Sequence, residues 1–195
     1  MRRQPAVRTS ESHPLLIAEV PAGAGGGVVG ITFCPGKSGP SLWGPHWKRD
    51  LAADLDAIAR WGADAVVTLI EDHEFELLGV TGLGAAVRAR GMAWHHLPIV
   101  DVSAPDHRFE AGWRDSGPLL RGVLRGGGRV LVHCRGGLGR AGTVAARLLA
   151  EAGMAPREAI ERVRAVRPGA IQTRAQEDYV MRGRPASSSD NDEAG

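Results

Sequence analysis

A cysteine and an arginine six residues later bound a glycine-rich segment of this sequence. The segment reads His133-Cys134-Arg135-Gly136-Gly137-Leu138-Gly139-Arg140 and follows the apolar stretch 130–132. Glycines permit the positive φ angles that turn consecutive backbone N–H groups inward, and such a ring of N–H groups is an anion nest. A thiolate in this nest can attack phosphorus, while the planar guanidinium of Arg140 holds two phosphate oxygens. The spacing therefore predicts nucleophilic attack by Cys134 on a phosphate ester.

A less specific interpretation competes with this one. A buried cysteine is most often an inert apolar side chain, and a glycine cluster is most often a simple turn. The position of the segment argues for catalysis, because a strand precedes it and a helix follows it, and a helix N-terminus attracts anions. The full Walker pattern Gly-x-x-x-x-Gly-Lys-Ser/Thr does not occur, because Ile31 stands where a loop ending in Gly36-Lys37-Ser38 would need its first glycine. A Walker-type nucleotide loop is therefore excluded.

Hydrophobic patterning predicts the elements that position this segment. Apolar runs predict strands over 15–20, 28–33, 65–70, 92–97 and 129–133. Helical periodicity predicts helices over 47–61, 83–90, 109–125, 139–152 and 156–166. A last helix is predicted to begin after the cap Thr173 and to end at residue 181, and Pro118 is predicted to kink or break the helix 109–125. Strands that alternate with helices indicate a single-domain α/β fold, with a central, mainly parallel sheet flanked by helices. Such sheets bind ligands at the carboxyl ends of their strands, which is where Cys134 lies.

Composition narrows the class of protein. The chain has 195 residues, 43% of them hydrophobic, and a net charge of +2 from 24 basic and 22 acidic residues. The even mixture of charges favours neither nucleic acid nor a membrane as partner, and no apolar run reaches about 18 residues. Two cysteines do not form a disulfide framework, so we expect a cytoplasmic protein. Nothing in the sequence predicts an oligomeric state.

The loop resembles the His-Cys-x-x-Gly-x-x-Arg signature of the cysteine-dependent protein phosphatase superfamily. Further similarity to the kinase-associated dual-specificity phosphatase and its bacterial relatives lies at Pro35-Gly36-Lys37, at 95–101 and at 169–173, within residues 28–183. The resemblance implies a dual-specificity-type phosphatase domain over 14–183, between a flexible N-terminus (1–13) and a disordered C-terminal tail (184–195). It also implies a phosphorylated protein or peptide as substrate, phosphotyrosine and/or phosphoserine/threonine, with no metal and no cofactor.

The resemblance also assigns roles to residues outside the nucleophile. It implies that Asp101, 33 residues before Cys134, is the general acid, and Asp106 is the alternative. Gln172 is expected to hold the water that hydrolyses the phosphocysteine, with Gln176 in support.

The loop residues receive their own assignments. Arg135, Gly136, Gly137, Leu138 and Gly139 are expected to bind the substrate phosphate together with Arg140. His133 is expected to order the loop through hydrogen bonds rather than to act as a base.

One position departs from the family pattern. The family usually has Ser or Thr directly after the arginine, and this chain has Ala141. That hydroxyl normally eases departure of the cysteine sulfur from phosphorus, while Thr143, two residues on, is expected to point elsewhere. Ala141 therefore raises one alternative to an active phosphatase, an impaired phosphate-binding module. A rhodanese-like sulfurtransferase, which also uses a cysteine loop, is a further alternative, against which His133, the Asp101 loop and the Gln172 segment argue.

Three further predictions concern side chains near the loop in sequence or in the fold. Residues 71–74 are interpreted as a solvated loop that could border the substrate. Cys34 is interpreted as a packed strand residue, with a disulfide to Cys134 as the alternative. The neighbouring His95 and His96 face opposite sides of a strand and are a poor metal pair.

Overall fold

The computed structural model describes residues 7–23, 25–40 and 45–183 of the chain. Its strands are β1 (Ala18–Pro21), β2 (Val28–Phe33), β3 (Ser38–Gly39), β4 (Trp47–Lys48), β5 (Ala65–Thr68), β6 (Ala93–His96) and β7 (Arg129–Cys134). The central sheet has the order β1-β2-β7-β5-β6, and β3 pairs with β4 in a separate ribbon. In the central sheet β1 runs antiparallel to β2, and the other neighbouring strands run parallel. The predicted α/β fold with a mainly parallel sheet is confirmed.

Helices cover both faces of the sheet. They are α1 (Leu51–Trp61), α2 (Asp72–Leu77), α3 (Leu83–Arg88), α4 (His107–Arg125), α5 (Gly139–Glu151), α6 (Pro156–Val166) and α7 (Arg174–Arg182). Buried side chains of α1 and α3 form an apolar cluster on one face, and those of α4 to α7 form the larger cluster on the other. Burial of this apolar surface holds the helices to the sheet. None of the described helices is long and apolar enough to cross a bilayer.

The register of the sheet brings three strand ends to one edge. Phe33 of β2 pairs with Cys134 of β7, and Thr68 of β5 pairs with His133. Because the three strands run parallel, the loop after Cys134 emerges between the carboxyl ends of β2 and β5. The predicted position of the cysteine loop at this edge is confirmed by the register.

The predicted helix start at Trp47 is wrong, and so is the break that was one of the two alternatives at Pro118. Trp47 lies in β4, and α1 begins only at Leu51, because Asp50 accepts a hydrogen bond from the Ala53 N–H and caps the helix. Helix α4 continues through Pro118 without a break. Pro118 lies on the exposed side of α4, where water can satisfy the carbonyl of Arg114 that the proline leaves without a donor.

The N-terminal part of the chain that the structure describes is paired with the β4 region. The Arg8 N–H donates to His46 O at 2.9 Å, and the Lys48 N–H donates to Arg8 O at 3.0 Å. Arg49 donates to His13 O at 2.6 Å. Residues 7–13 therefore make defined contacts, while flexibility of the segment 1–13 stays a prediction. Residues 1–6 and the predicted tail 184–195 lie outside the described residues.

Candidate active site

Cys134 ends β7, and the loop that follows wraps around its sulfur. Cys134 is 3% exposed, and its Sγ accepts a hydrogen bond from the Gly137 N–H at 3.2 Å. Helix α5 begins at Gly139, so its N-terminal end points toward the same loop. The loop thus presents N–H dipoles to the position above the sulfur, an arrangement that suits a bound anion.

Two glycines of the loop lie in close contact with neighbouring segments. Gly137 has φ +67°, and a Cβ there would lie 2.5 Å from the backbone of Thr32. At Gly139 a Cβ would lie 2.6 Å from Gln172 Oε1, the end of a side chain that would have to move. The loop therefore packs directly against β2 on one side and against the Gln172 segment on the other. A side chain at Gly137 would push the loop away from β2, and one at Gly139 would displace the side chain of Gln172.

Arg167 supports the outside of the loop and was not recognised in the sequence. Its Nε donates to Gly137 O at 3.0 Å, and its Nη2 donates to Gly136 O at 3.2 Å. These bonds satisfy carbonyls that turn outward when the N–H groups turn inward. Arg167 lies beyond α6, 27 residues after Arg140, and its spacing carries no signal that could have revealed it.

Arg140 is held by a buried carboxylate. Arg140 is 1% exposed, and its two terminal nitrogens donate to the two oxygens of Glu74 at 2.6 and 3.0 Å. A third bond runs from Nη1 to Ile99 O at 3.1 Å. Burial alone would raise the pKa of Glu74, but hydrogen bonds from Arg140 and the Glu71 backbone outweigh it and lower that pKa.

The interpretation of residues 71–74 as a solvated loop is wrong. The segment opens α2, where Glu71 and Glu74 form a capping box, and Glu74 is 3% exposed. The spacing Glu71-x-x-Glu74 is the available sequence signal, since a capping box joins residues three apart. The partner Arg140 lies 66 residues further on, so only the fold reveals why the carboxylate is buried.

The structure separates the two candidate acids. Asp101 lines the cavity above Cys134, and its Oδ1 lies 3.0 Å from Arg140 Nη2. Asp106 instead caps α4, where its Oδ1 accepts the N–H groups of Arg108 and Phe109 at 3.0 and 3.1 Å. The Phe109 N–H bond is the main cause that lowers the pKa of Asp106. Asp106 is therefore engaged elsewhere, and Asp101 is the carboxylate placed at the site.

The two glutamines have different positions. Gln172 lines the cavity next to Gly139. Gln176 is fully buried, where its Oε1 accepts the Gln172 N–H at 2.9 Å and its Nε2 donates to Ser103 O at 3.0 Å. Gln176 thus ties the Gln172 segment to the loop that carries Asp101.

His133 lies beneath the cysteine in a chain of hydrogen bonds. The Trp94 Nε1–H donates to Thr68 Oγ1 at 2.8 Å, and Thr68 Oγ1 lies 2.8 Å from His133 Nε2. Burial lowers the pKa of His133 to about 3, and a backbone contact with Cys134 opposes the shift. His133 is therefore neutral near pH 7, consistent with a residue that orders the loop.

The two cysteines belong to different apolar clusters. Cys34 belongs to the cluster with α1 and α3, and Cys134 to the cluster with α4 to α7. Both are free thiols. Burial raises the pKa of Cys34 far above its usual range, which makes it unreactive. Packing of Cys34 is the interpretation that its complete burial as a free thiol favours.

The cavity at the site has a volume of ≈ 500 Å³. Its walls come from the cysteine loop, the Asp101 loop, the Gln172 segment, the β3–β4 region and the end of α2. The lining residues include Lys37, Trp47, Leu78, Asp101, Val102, Cys134, Arg135, Gly136, Leu138, Gly139 and Gln172. Most of the residues assigned to phosphate binding therefore face one cavity with Cys134 at its base.

Other polar side chains near the sheet edge are satisfied without a metal. His95 Nδ1 lies 3.0 Å from Ser116 Oγ, and His96 Nε2 lies 2.9 Å from Ile70 O. Thr143 Oγ1 donates to Gly139 O at 2.7 Å, so its hydroxyl is turned into its own helix as predicted. Among the described residues no group of three His, Cys, Asp or Glu is placed to hold a metal ion.

Comparison with known proteins agrees with this geometry. A profile described as "PTP-SAK: Swiss Army Knife protein, DSP-PTPase phosphatase domain" matches residues 48–180. Cyclin-dependent kinase inhibitor 3 of Rattus norvegicus is 32% identical over 136 residues, which are 68% of this chain and 63% of that protein. The Homo sapiens protein is 31% identical over 136 residues, with the same shares. The chain therefore spans less than two thirds of the length of these relatives.

Solved structures show the same fold. Kinase associated phosphatase (KAP), with its catalytic-site cysteine substituted by serine, is 27% identical with a TM-score of 0.73, covering 86% of this chain and 92% of that chain. Tk-PTP in the active form is 33% identical with a TM-score of 0.56, covering 77% and 86%. The family profile covers more than half of the chain and includes the whole cysteine loop. The chain therefore belongs to the PTP-SAK family of DSP-PTPase phosphatase domains.

Proposed function

We propose that the chain hydrolyses phosphomonoesters on proteins or peptides through a phosphocysteine intermediate on Cys134. The observation that carries the proposal is the sulfur of Cys134, which receives a loop N–H at the base of a cavity that Asp101 overlooks. Arg140 stands beside this sulfur, and among the described residues its buried Nε has no partner, so one N–H remains for a phosphate oxygen. The name of the relative cyclin-dependent kinase inhibitor 3 is compatible with a phosphoprotein substrate.

The first step transfers the phosphoryl group to sulfur. The Cys134 thiolate attacks phosphorus, and the bond from phosphorus to the ester oxygen breaks. Loop N–H groups and Arg140 hold the equatorial oxygens, where charge is concentrated in the transition state. The carboxyl of Asp101 gives its proton to the departing oxygen.

The second step regenerates the thiolate. A water molecule held by Gln172 attacks phosphorus and gives a proton to the Asp101 carboxylate. The phosphorus–sulfur bond breaks, inorganic phosphate leaves, and Cys134 returns to the thiolate form. Gln172 suits this role because it borders the cavity beside Gly139 and is fixed through its backbone by Gln176.

Asp101→Asn is expected to lower kcat on a phosphoserine peptide by about 10²-fold, since general acid catalysis is worth about 10² to 10⁴. The loss on para-nitrophenyl phosphate is expected to be smaller, because that leaving group needs little protonation. Steady-state assays of both substrates measure the difference.

Asp106→Asn is the matched control for Asp101→Asn. Asparagine caps a helix about as well as aspartate, so α4 is retained and both rates should stay within about twofold of the wild type. A larger loss in Asp106→Asn than in Asp101→Asn would contradict the assignment of the acid.

A second function, phosphate binding with slow release, is favoured by Ala141. Ala141 is fully buried and supplies no hydroxyl to the departing sulfur.

Rapid-quench kinetics are therefore expected to show a burst of product followed by slower steady turnover. Ala141→Ser is expected to raise the steady rate by about tenfold, corresponding to about 1.4 kcal/mol for one charge-assisted hydrogen bond. A wild type without a burst, and an Ala141→Ser rate equal to the wild-type rate, would refute the idea.

A further inference from the structure

Two positive side chains on one wall of the cavity are not neutralised. Lys37 and Arg135 both line the cavity that contains Cys134. Among the residues that the structure describes, neither has a carboxylate within ion-pair distance, whereas Arg140 lies against both Glu74 and Asp101. Unlike the phosphate-binding arginine, these two cations therefore keep their full charge toward the cavity.

Lys37 is held in place by contacts with aromatic rings and a backbone carbonyl, which do not neutralise its positive charge. Its Nζ lies 4.4 Å from the ring centroid of Phe33 and 4.5 Å from that of Trp47. One N–H donates to Arg135 O at 3.3 Å, which leaves two of its three donors. The aromatic contacts orient the ammonium before any ligand binds and so reduce the entropy lost on binding.

The surroundings of Lys37 also make an anion favourable there. Burial lowers the pKa of Lys37 to about 8, with Arg49 and Arg135 acting in the same direction and Cys34 and Cys134 opposing. The ammonium is therefore protonated at pH 7 but poorly solvated. An acidic ligand group would replace the hydration that burial removes, so its hydrogen bonds would be worth more than on an open surface.

We propose that Lys37 and Arg135 form a second anion subsite, which binds an acidic group on a residue that flanks the phosphorylated side chain. The proposal rests on the proposed function, because the subsite shares its cavity with the phosphate cradle around Cys134. The chemistry is that of a carboxylate or a second phosphate, and Trp47 and Leu78 form the apolar wall beside it. Substrates with a neutral flank fill the cradle and leave the subsite empty.

The kinetic test uses phosphotyrosine peptides that differ at the flanking residues. One peptide carries Ala, one carries Asp and one carries phosphoserine, and kcat/KM is measured for each. The wild type is expected to prefer an acidic flank by about tenfold, as one partly buried charge-assisted bond would give. The Asp and phosphoserine peptides show which source of the anion the subsite prefers.

Variants of the two lysines assign the preference. Lys37 and Lys48 are the only lysines in the sequence. Lys37→Met keeps the apolar stem and should reduce the acidic-to-neutral ratio to about one, and Lys37→Arg should retain most of it. Lys48 is exposed and outside the cavity, so Lys48→Met should keep the wild-type ratio. The ratio cancels any general change in activity that both peptides share.

A binding test needs no turnover. In a Cys134→Ser, Lys48→Arg chain, ¹³C-methylation labels Lys37 as the one lysine, and NMR follows its signal during titration with each peptide. The acidic peptides are expected to shift the Lys37 signal and raise its pKa, and the Ala peptide is expected to do neither. An equal response to all peptides, or a wild-type ratio preserved in Lys37→Met, overturns the subsite. If the wild type hydrolyses no peptide but the shift appears, the proposed function fails and the subsite stands.

Discussion

Cys134→Ser is expected to lower kcat by at least about 10⁴-fold, because removal of a catalytic nucleophile leaves only the binding groups to act. A serine hydroxyl is a much weaker nucleophile toward phosphorus than a cysteine sulfur. The N–H groups and Arg140 remain, so binding of a phosphopeptide should survive the substitution. Steady-state assays with para-nitrophenyl phosphate measure the loss, and calorimetry with a phosphopeptide measures the retained affinity.

Cys34→Ser is the control for the loss of a thiol elsewhere in the sheet. Cys34 Sγ donates to Pro35 O, and a serine hydroxyl can make the same bond. We expect kcat within about twofold of the wild type, with a modest loss of stability from a buried hydroxyl. Acid-quenched wild type should carry phosphate on Cys134. Phosphate on another residue, or an equal loss of activity in both variants, would contradict the mechanism.

The parts of the fold that local pattern determines were predictable. An apolar run followed by a glycine loop and a helix placed Cys134 at a strand end, and the register of β7 with β2 confirms it. Thr173 was recognised as a cap because capping depends on neighbours three residues away, and its side chain accepts the Gln176 N–H. In each case the pattern that allowed the prediction lies within a few residues of sequence.

The features that the sequence did not reveal depend on distant partners. Glu74 is buried because Arg140 pairs with it, and Arg167 matters because the loop carbonyls face it. Neither contact is visible as periodicity. Trp47 fits a helical pattern, yet it lies in β4, where its ring contacts the ammonium of Lys37. Pro118 would break an isolated helix, but burial of Trp113 on the opposite side holds α4 continuous.

Substrate preference also depends on residues that are distant in the sequence. Residues of the cysteine loop are close in sequence, and their chemistry could be inferred from spacing alone. The walls of the cavity come from Lys37, Trp47, Asp101 and Gln172, which are far apart in sequence. Substrate preference is therefore a property of the assembled fold. The subsite formed by Lys37 and Arg135 could not be predicted from the sequence, because only the fold brings these residues to one cavity.

The second large effect is expected at the carboxylate that holds Arg140. Glu74→Ala should destabilise the protein by about 3–5 kcal/mol, because it leaves the buried guanidinium without its partner. Arg140 would also be displaced, and kcat/KM should fall by about 10²-fold, because a shift of about 1 Å in a catalytic group can lower the rate by that factor. Urea unfolding and steady-state kinetics measure the two effects.

Glu76→Ala separates this effect from a general weakening of α2. Glu76 has the same chemistry two residues away, but it is exposed, so its loss should change stability by no more than about 0.5 kcal/mol. The stability of Glu74→Gln, measured as a function of pH, tests the role of the charge on Glu74. The folded pKa of Glu74 lies below its ordinary 4.5, so its stabilisation is present above that value and is lost as pH falls through the folded pKa. The gap between wild type and Glu74→Gln should therefore shrink below about pH 4. Equal stability of Glu74→Ala and Glu76→Ala at pH 7 would show that Arg140 does not need this carboxylate.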